Sequence, residues 1–179
     1  MSAPSETFVS VDVESAGPHP GRYSLLAIGA CLVDQPEEAF YVELQPTTDD
    51  VLPEALAVSG LSMDALREHG RPPAEAMAAF AEWVERVVPA GSEPVFVGFN
   101  APFDWMFVNE WFHQHLGRNP FGHRALDIKA YAMGREGGAF SDTSLARLAE
   151  HYGSAPSLTH HALEDAQVQG DLFARLRAR

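Results

Sequence analysis

In the segment TFVSVDVE, Val9, Val11 and Val13 alternate with Phe8, Ser10, Asp12 and Glu14. A two-residue period is that of a strand, here with its valines turned to a core. SAGPHPGRY is rich in Gly and Pro and predicts a loop. SLLAIGACLVD and AFYVEL predict two more strands, joined by a turn at DQPEE. Such short connections predict antiparallel neighbours. After Pro46 the pattern becomes helical. LSMDALREHG predicts a short helix stopped by Gly70, and PPAEAMAAFAEWVERVV a longer amphipathic one opening on Pro72 and Pro73. EPVFVGFN reads as a buried strand, APFDWMFVNEWFHQHLG as the helix after it, and HRALDI as one more short strand. SLARLAEHYG and HALEDAQVQGDLFARLRAR read as helices, the second running to the end. No repeat or linker divides this order, which predicts one α/β domain over residues 1–179, a mixed sheet with helices packed on it.

Composition narrows the function classes. A chain of 179 residues suits one well-buried domain, and 46% apolar with 21% charged residues is ordinary for a globular protein. No apolar run approaches the ~20 residues of a membrane helix, and MSAPSETFVSVDVE lacks the form of a secretory signal. The single cysteine, Cys31, lies in the apolar run LLAIGACLV, which predicts a core residue and excludes an internal disulfide. A cytoplasmic protein is expected, with no membrane partner. The net charge of −13 argues against coating long nucleic acid through a broad basic face. One stretch runs the other way: Arg118, Arg124, Lys129 and Arg135 are set against the single acid Asp127. Either a phosphate-contacting patch or a solvated surface fits it.

Three groups of acids carry the candidate chemistry. Asp12 and Glu14, two apart on a strand, point to one side and repel each other unless a cation or proton lies between them. A solvent-facing acidic edge accounts for the pair equally well. Asn100 ends the buried strand and Asp104 falls in the first turn of the next helix, where the helix dipole favours a carboxylate. That place, past the C-terminal end of a strand, is also where α/β sheets hold ligands. In HHALEDA, Asp165 follows two histidines. Helical spacing alone pairs it with His161 at i,i+4, whereas His160 meets it only if the helix starts after His160.

Taken in order, VDVES, FNAPFD and HHALEDA resemble the DEDDh family of 3′–5′ exonucleases. The family pattern is Asp-x-Glu on the first strand, Asn-x-x-x-Asp after the fourth, and His-x-Ala-x-x-Asp at the last helix. VSGLSMDAL and SLARLAEHYG resemble family positions more weakly, and the likeness runs from Phe8 to about Arg177. It implies a ribonuclease H-like fold, a mixed five-stranded sheet flanked by helices. It makes His160 the catalytic histidine, His161 a variable neighbour and Glu164 a surface charge. GFNAPFDWMFVNEWF is most similar to the ribonuclease T branch, with the proofreading subunit of a replicative polymerase and oligoribonuclease as relatives. A homodimer is among the assemblies that branch implies. The alternatives are a proofreading or scaffold subunit active only within a larger complex, and an enzyme for very short RNA.

The implied reaction is phosphodiester hydrolysis from the 3′ end of single-stranded RNA or DNA, releasing nucleoside 5′-monophosphates. The implied cofactors are two Mg²⁺ or Mn²⁺ ions, which suit carboxylate oxygens. By the resemblance Asp12 bridges both ions, Glu14 and Asp165 hold the one that binds the attacking water, and Asp104 steadies the other. His160 takes the water's proton as general base. Many family members read Thr-Gly-Leu where this chain reads SAGPHP after Glu14, in the loop that touches the terminal nucleotide. The implied chemistry therefore carries over and the substrate preference does not. Candidate substrate contacts are Ser15, Asn100, Phe103, Phe140 and Lys129, with Trp105, Phe107 and Arg124 on weaker grounds.

Overall fold

A computed structural model describes residues 5–155 and 157–178. Five strands form one sheet in the order β3-β2-β1-β4-β5: β1 (Ser5–Ser15), β2 (Leu25–Leu32), β3 (Gln35–Glu43), β4 (Ser92–Gly98) and β5 (Ala125–Asp127). The first three are antiparallel neighbours, while β4 lies parallel to β1 and β5 parallel to β4. Helices α1 (Pro53–Ser59), α2 (Met63–His69), α3 (Pro73–Val87), α4 (Pro102–Leu116), α5 (Ile128–Glu136), α6 (Leu145–Tyr152) and α7 (Ala162–Ala178) surround it. This is the ribonuclease H-like arrangement. Among the described residues no helix is long and apolar enough to cross a membrane.

The sheet has two different faces because of what alternates along it. Val9, Val11 and Val13 of β1, with Ile28, Ala30 and Leu32 of β2, pack against Phe80 and Trp83 of α3 and Phe107, Trp111 and Phe112 of α4. The opposite face of these two strands carries small groups, and α7 lies close upon it. A Cβ on Gly170 of α7 would come 3.2 Å from the Cβ of Ser10, and one on Gly29 would come 2.1–2.3 Å from the backbone of Ala162 and Leu163. Cys31 on that face donates its thiol to the Ala166 carbonyl, and burial pushes the thiol up to about 12. Gly29 pairs directly with Asp12 in the β1–β2 register. The missing side chain at residue 29 therefore lets the start of α7 descend onto the acid-bearing strand.

Several boundaries differ from the sequence expectation. The DQPEE turn is shorter than expected: the chain turns at residues 33–34 and β3 begins at Gln35. Pro36 is tolerated because β3 lies at the sheet edge, where a missing N–H breaks no ladder. HRALDI holds only the three residues of β5, because the Asp127 side chain accepts the Ala130 N–H and starts α5 at once. Neither α5 nor α1, which opens on Pro53, stands out in the hydrophobic pattern. The last helix is as expected to Ala178, and Arg179 lies outside the described residues.

Gly29→Ala is expected to force α7 away from β2 at an overpacking cost on the order of 1–3 kcal/mol. A thermal melt should show a midpoint lower by several degrees. An unchanged midpoint would mean that α7 has room for the methyl group.

Candidate active site

The site is built where β1, α4 and α7 meet. The β1–β4 pairing stops at Ser10 and Val97, so the amide of Val13, farther along β1, needs another partner. Asp104, in the first turn of α4, supplies it: Val13 N–H donates to its Oδ1 at 3.1 Å. The chain reaches α4 through Asn100, whose φ of 66° is left-handed, a conformation that Asn adopts more readily than most residues. The carboxyl of Asp104 is thereby buried beside β1, with the residue only 5% exposed.

Asp165 is fixed from its own side. Thr159 N–H and Oγ1 both donate to Asp165 Oδ1, at 2.7 and 3.2 Å, and His160 N–H donates to Oδ2 at 3.0 Å. His160 has a φ of 62° and α7 begins at Ala162, so the histidine precedes the helix. Folding the loop back in this way removes the 100°-per-residue constraint. Ligand atoms of Glu14, His160 and Asp165 all lie within 4.8 Å of one another. His161 turns elsewhere: its ring stacks on Tyr41 of β3 with centroids 4.6 Å apart. Only its carbonyl engages Asp165, accepting the helical N–H. Glu164 is exposed.

Charge crowding follows from this packing. Burial raises the Asp12 carboxyl well above its ordinary value, and Asp104, Glu14 and Asp165 each raise it further. Asp12 alone feels all three neighbours. Glu14 is pushed up to about 7 by burial and then by Asp165. Asp104 is pushed up to about 8 by burial, against two backbone hydrogen bonds that lower it, with Glu14 and Asp127 adding to the rise. Such a group of anions calls for positive charge. The donors are hard oxygens with one imidazole, a set suited to Mg²⁺ or Mn²⁺. Glu14, His160 and Asp165 form a cluster able to coordinate a metal ion.

Residues 9–173 match the RNase T family of exonucleases. The chain belongs to this family of DEDDh-type 3′–5′ exonucleases. It is 44% identical over 173 residues to the 3′–5′ DNA exonuclease Cap18 of Escherichia coli, covering 97% of this chain and 92% of that one. Two solved structures share the fold. One is the nuclease domain of 3′hExo, a DEDDh family member bound to rAMP, with a TM-score of 0.76 at 11% identity, covering 99% of this chain and 94% of that one. The other is E. coli exonuclease I in complex with single-stranded DNA, with a TM-score of 0.71 at 20% identity. That likeness covers 97% of this chain but only 41% of exonuclease I.

The remaining candidates of this exonuclease fall into different places. Phe103 lines an open cleft of about 370 Å³ with Val13, Glu14 and Ser15 and with Glu54, Ala55 and Val58 of α1. Ser15 is itself buried, its hydroxyl donating to the Gly17 carbonyl at 2.8 Å, so it shapes the loop after β1. Asn100 is exposed at the turn into α4. Phe107 is fully buried in the core, which removes it as a stacking surface, and Trp105 packs edge-on against Phe96. Two of the four cations of the basic stretch are neutralised: Arg118 pairs with Glu85 and Arg124 with Glu93. Phe140 and Lys129 lie together, the ammonium 4.4 Å from the ring centroid.

Three residues of the site escaped the sequence reading. Gln169, one turn after Asp165, is buried, donates to the Val11 carbonyl at 3.0 Å and accepts the Phe99 N–H. It ties α7 to β1 and to the end of β4. Its i,i+4 spacing from Asp165 was the available signal. Gly29 and Tyr41 gave none, since each acts across the sheet.

The raised carboxyls set a pH dependence for the metal-free protein. Unfolded, Glu14 and Asp104 titrate near 4; folded, they titrate at about 7 and about 8. Between these values the native state binds more protons than the unfolded one, so stability is full at low pH and falls as pH rises through 7 and 8. Glu14→Gln and Asp104→Asn should therefore raise the midpoint in chelator by a few degrees at pH ~9 and barely at pH ~5. Melts in EDTA at both values check this, and equal shifts at both would contradict it.

Proposed function

We propose that this exonuclease hydrolyses single-stranded DNA from its 3′ end, releasing nucleoside 5′-monophosphates, with Asp12, Glu14, Asp104 and Asp165 holding two Mg²⁺ or Mn²⁺ ions and His160 acting as general base. The observation that carries this reading is the crowd of carboxyls around Asp12, with His160 within reach of Glu14 and Asp165. The named activity of the 44% identical relative favours DNA over RNA. Cytoplasmic action belongs to the same reading, on the composition and the single buried cysteine.

When bound, the ions would supply Lewis acidity and charge neutralisation at the phosphate. The chain supplies the rest. Asp12, central to the acid group, would bring the others' charges to one place. Thr159 and the His160 amide fix Asp165, so its oxygens keep one orientation. The imidazole would take a proton from the attacking water as the water oxygen bonds to phosphorus. The phosphorus–O3′ bond then breaks, and the shortened strand recovers a 3′ hydroxyl by taking up a proton. The left-handed backbone at His160, with its amide on Asp165, would leave the imidazole free to face the water. Phe103 and Val58, lining the cleft beside Glu14, would contact the terminal base.

His160→Ala should lower turnover ~10²- to 10⁴-fold, the range for loss of a general base. His161→Ala removes only a ring stack on Tyr41 worth about 0.5–1.5 kcal/mol and should cost no more than about tenfold. A 5′-labelled single-stranded oligonucleotide reports both, with DNA and RNA versions compared. A 3′-first ladder that vanishes with EDTA is expected. Equal losses in the two variants would refute the role of His160.

A further inference from the structure

Lys129 is the sole lysine of the sequence. Arg118 and Arg124 of the same basic stretch are held by carboxylates, whereas Lys129 forms no ion pair among the described residues. Its ammonium instead lies 4.4 Å from the centroid of Phe140 and 5.7 Å from that of Phe99. Phe140 is 48% exposed, one of few large apolar side chains open to solvent. The pair lies at the same end of the sheet as the acid group: Asp127, two residues before Lys129, pairs with Gly98 at the end of β4, and Phe99 adjoins the Asn100 turn that leads to Asp104. The chain as a whole carries −13, so an unneutralised cation beside an open aromatic ring is complementary to one thing in particular, a strand of phosphates bearing unpaired bases.

We infer that Lys129 and Phe140 form a second nucleotide-binding subsite, apart from the Phe103 cleft, that grips the single strand upstream of the bond being cut. This rests on the nuclease reading above. Lys129 supplies a compact positive charge to one phosphate, and Phe140 supplies a face on which one base stacks without regard to its identity. The cation–aromatic contact holds the two as a unit in the unbound protein. The acid group cannot serve those upstream phosphates, since its own charge must first be neutralised at the cut site.

Steady-state kinetics on a labelled single-stranded oligonucleotide, repeated across a salt series, test this. Lys129→Ala should raise KM and reduce the slope of log KM against log salt by about 0.7, the share of one phosphate contact on a single strand, whereas Lys129→Arg should keep the slope. Phe140→Ala should raise KM about 5- to 100-fold with the slope intact, and Phe140→Trp should restore it. In both alanine variants the loss falls on KM rather than kcat. Wild-type slopes in Lys129→Ala, or losses confined to kcat, would overturn the subsite while leaving the nuclease reading in place. A wild-type protein that cuts neither DNA nor RNA would overturn the nuclease reading, and the subsite with it.

Discussion

Mutual repulsion among the four carboxyls of Asp12, Glu14, Asp104 and Asp165 is the constraint on which the site depends. With α7 directly on β1 and β2 and α4 on the other side, Asp104 and Asp165 are buried away from screening water, while Asp12 and Glu14 are half-buried. Each element is held by a contact that presumes the others. Gly29 gives α7 room, Val13 draws in Asp104, and Gln169 fastens α7 to Val11 and Phe99. Packing energy from an apolar sheet face thus keeps like charges closer than they would choose. The fold stores that cost at a cluster where a bound cation can relieve it.

The position of His160 follows from the same packing. At position 160 of a continuous helix a histidine would point away from Asp165. Instead the left-handed residue at 160 turns the chain so that two amides and a hydroxyl converge on the Asp165 carboxylate before the helix begins. One carboxylate caps the loop, orients the histidine and contributes a metal-type oxygen. His161 meanwhile clamps the same loop to the neighbouring strand through Tyr41.

Much of this was legible in the chain. Strict alternation in β1 and the apolar run of β4 predicted the sheet, and Asp12, Glu14, Asp104 and Asp165 stood out by their places at element ends. Spacing by itself paired Asp165 with His161, whereas the structure brings His160 beside it, because helical periodicity cannot foresee a left-handed residue before the first turn. What stayed hidden acts across the fold rather than along it. Gly29 reads as an ordinary strand glycine until α7 is laid over it, and Phe107 reads like Phe103 until the core claims it. Lys129 looked like part of a basic patch; the structure pairs Arg118 and Arg124 with carboxylates and leaves Lys129 beside an open ring.

The most direct test of the central claim is a calorimetric titration of Mn²⁺ into the metal-free protein and its Asp12→Asn variant at pH ~6 and pH ~8.5. If the crowded carboxyls are a cation site, wild-type affinity rises with pH as Glu14 and Asp104 give up protons on binding, and Asp12→Asn weakens binding at both values. Affinity that is independent of pH, or unchanged by Asp12→Asn, would contradict the account.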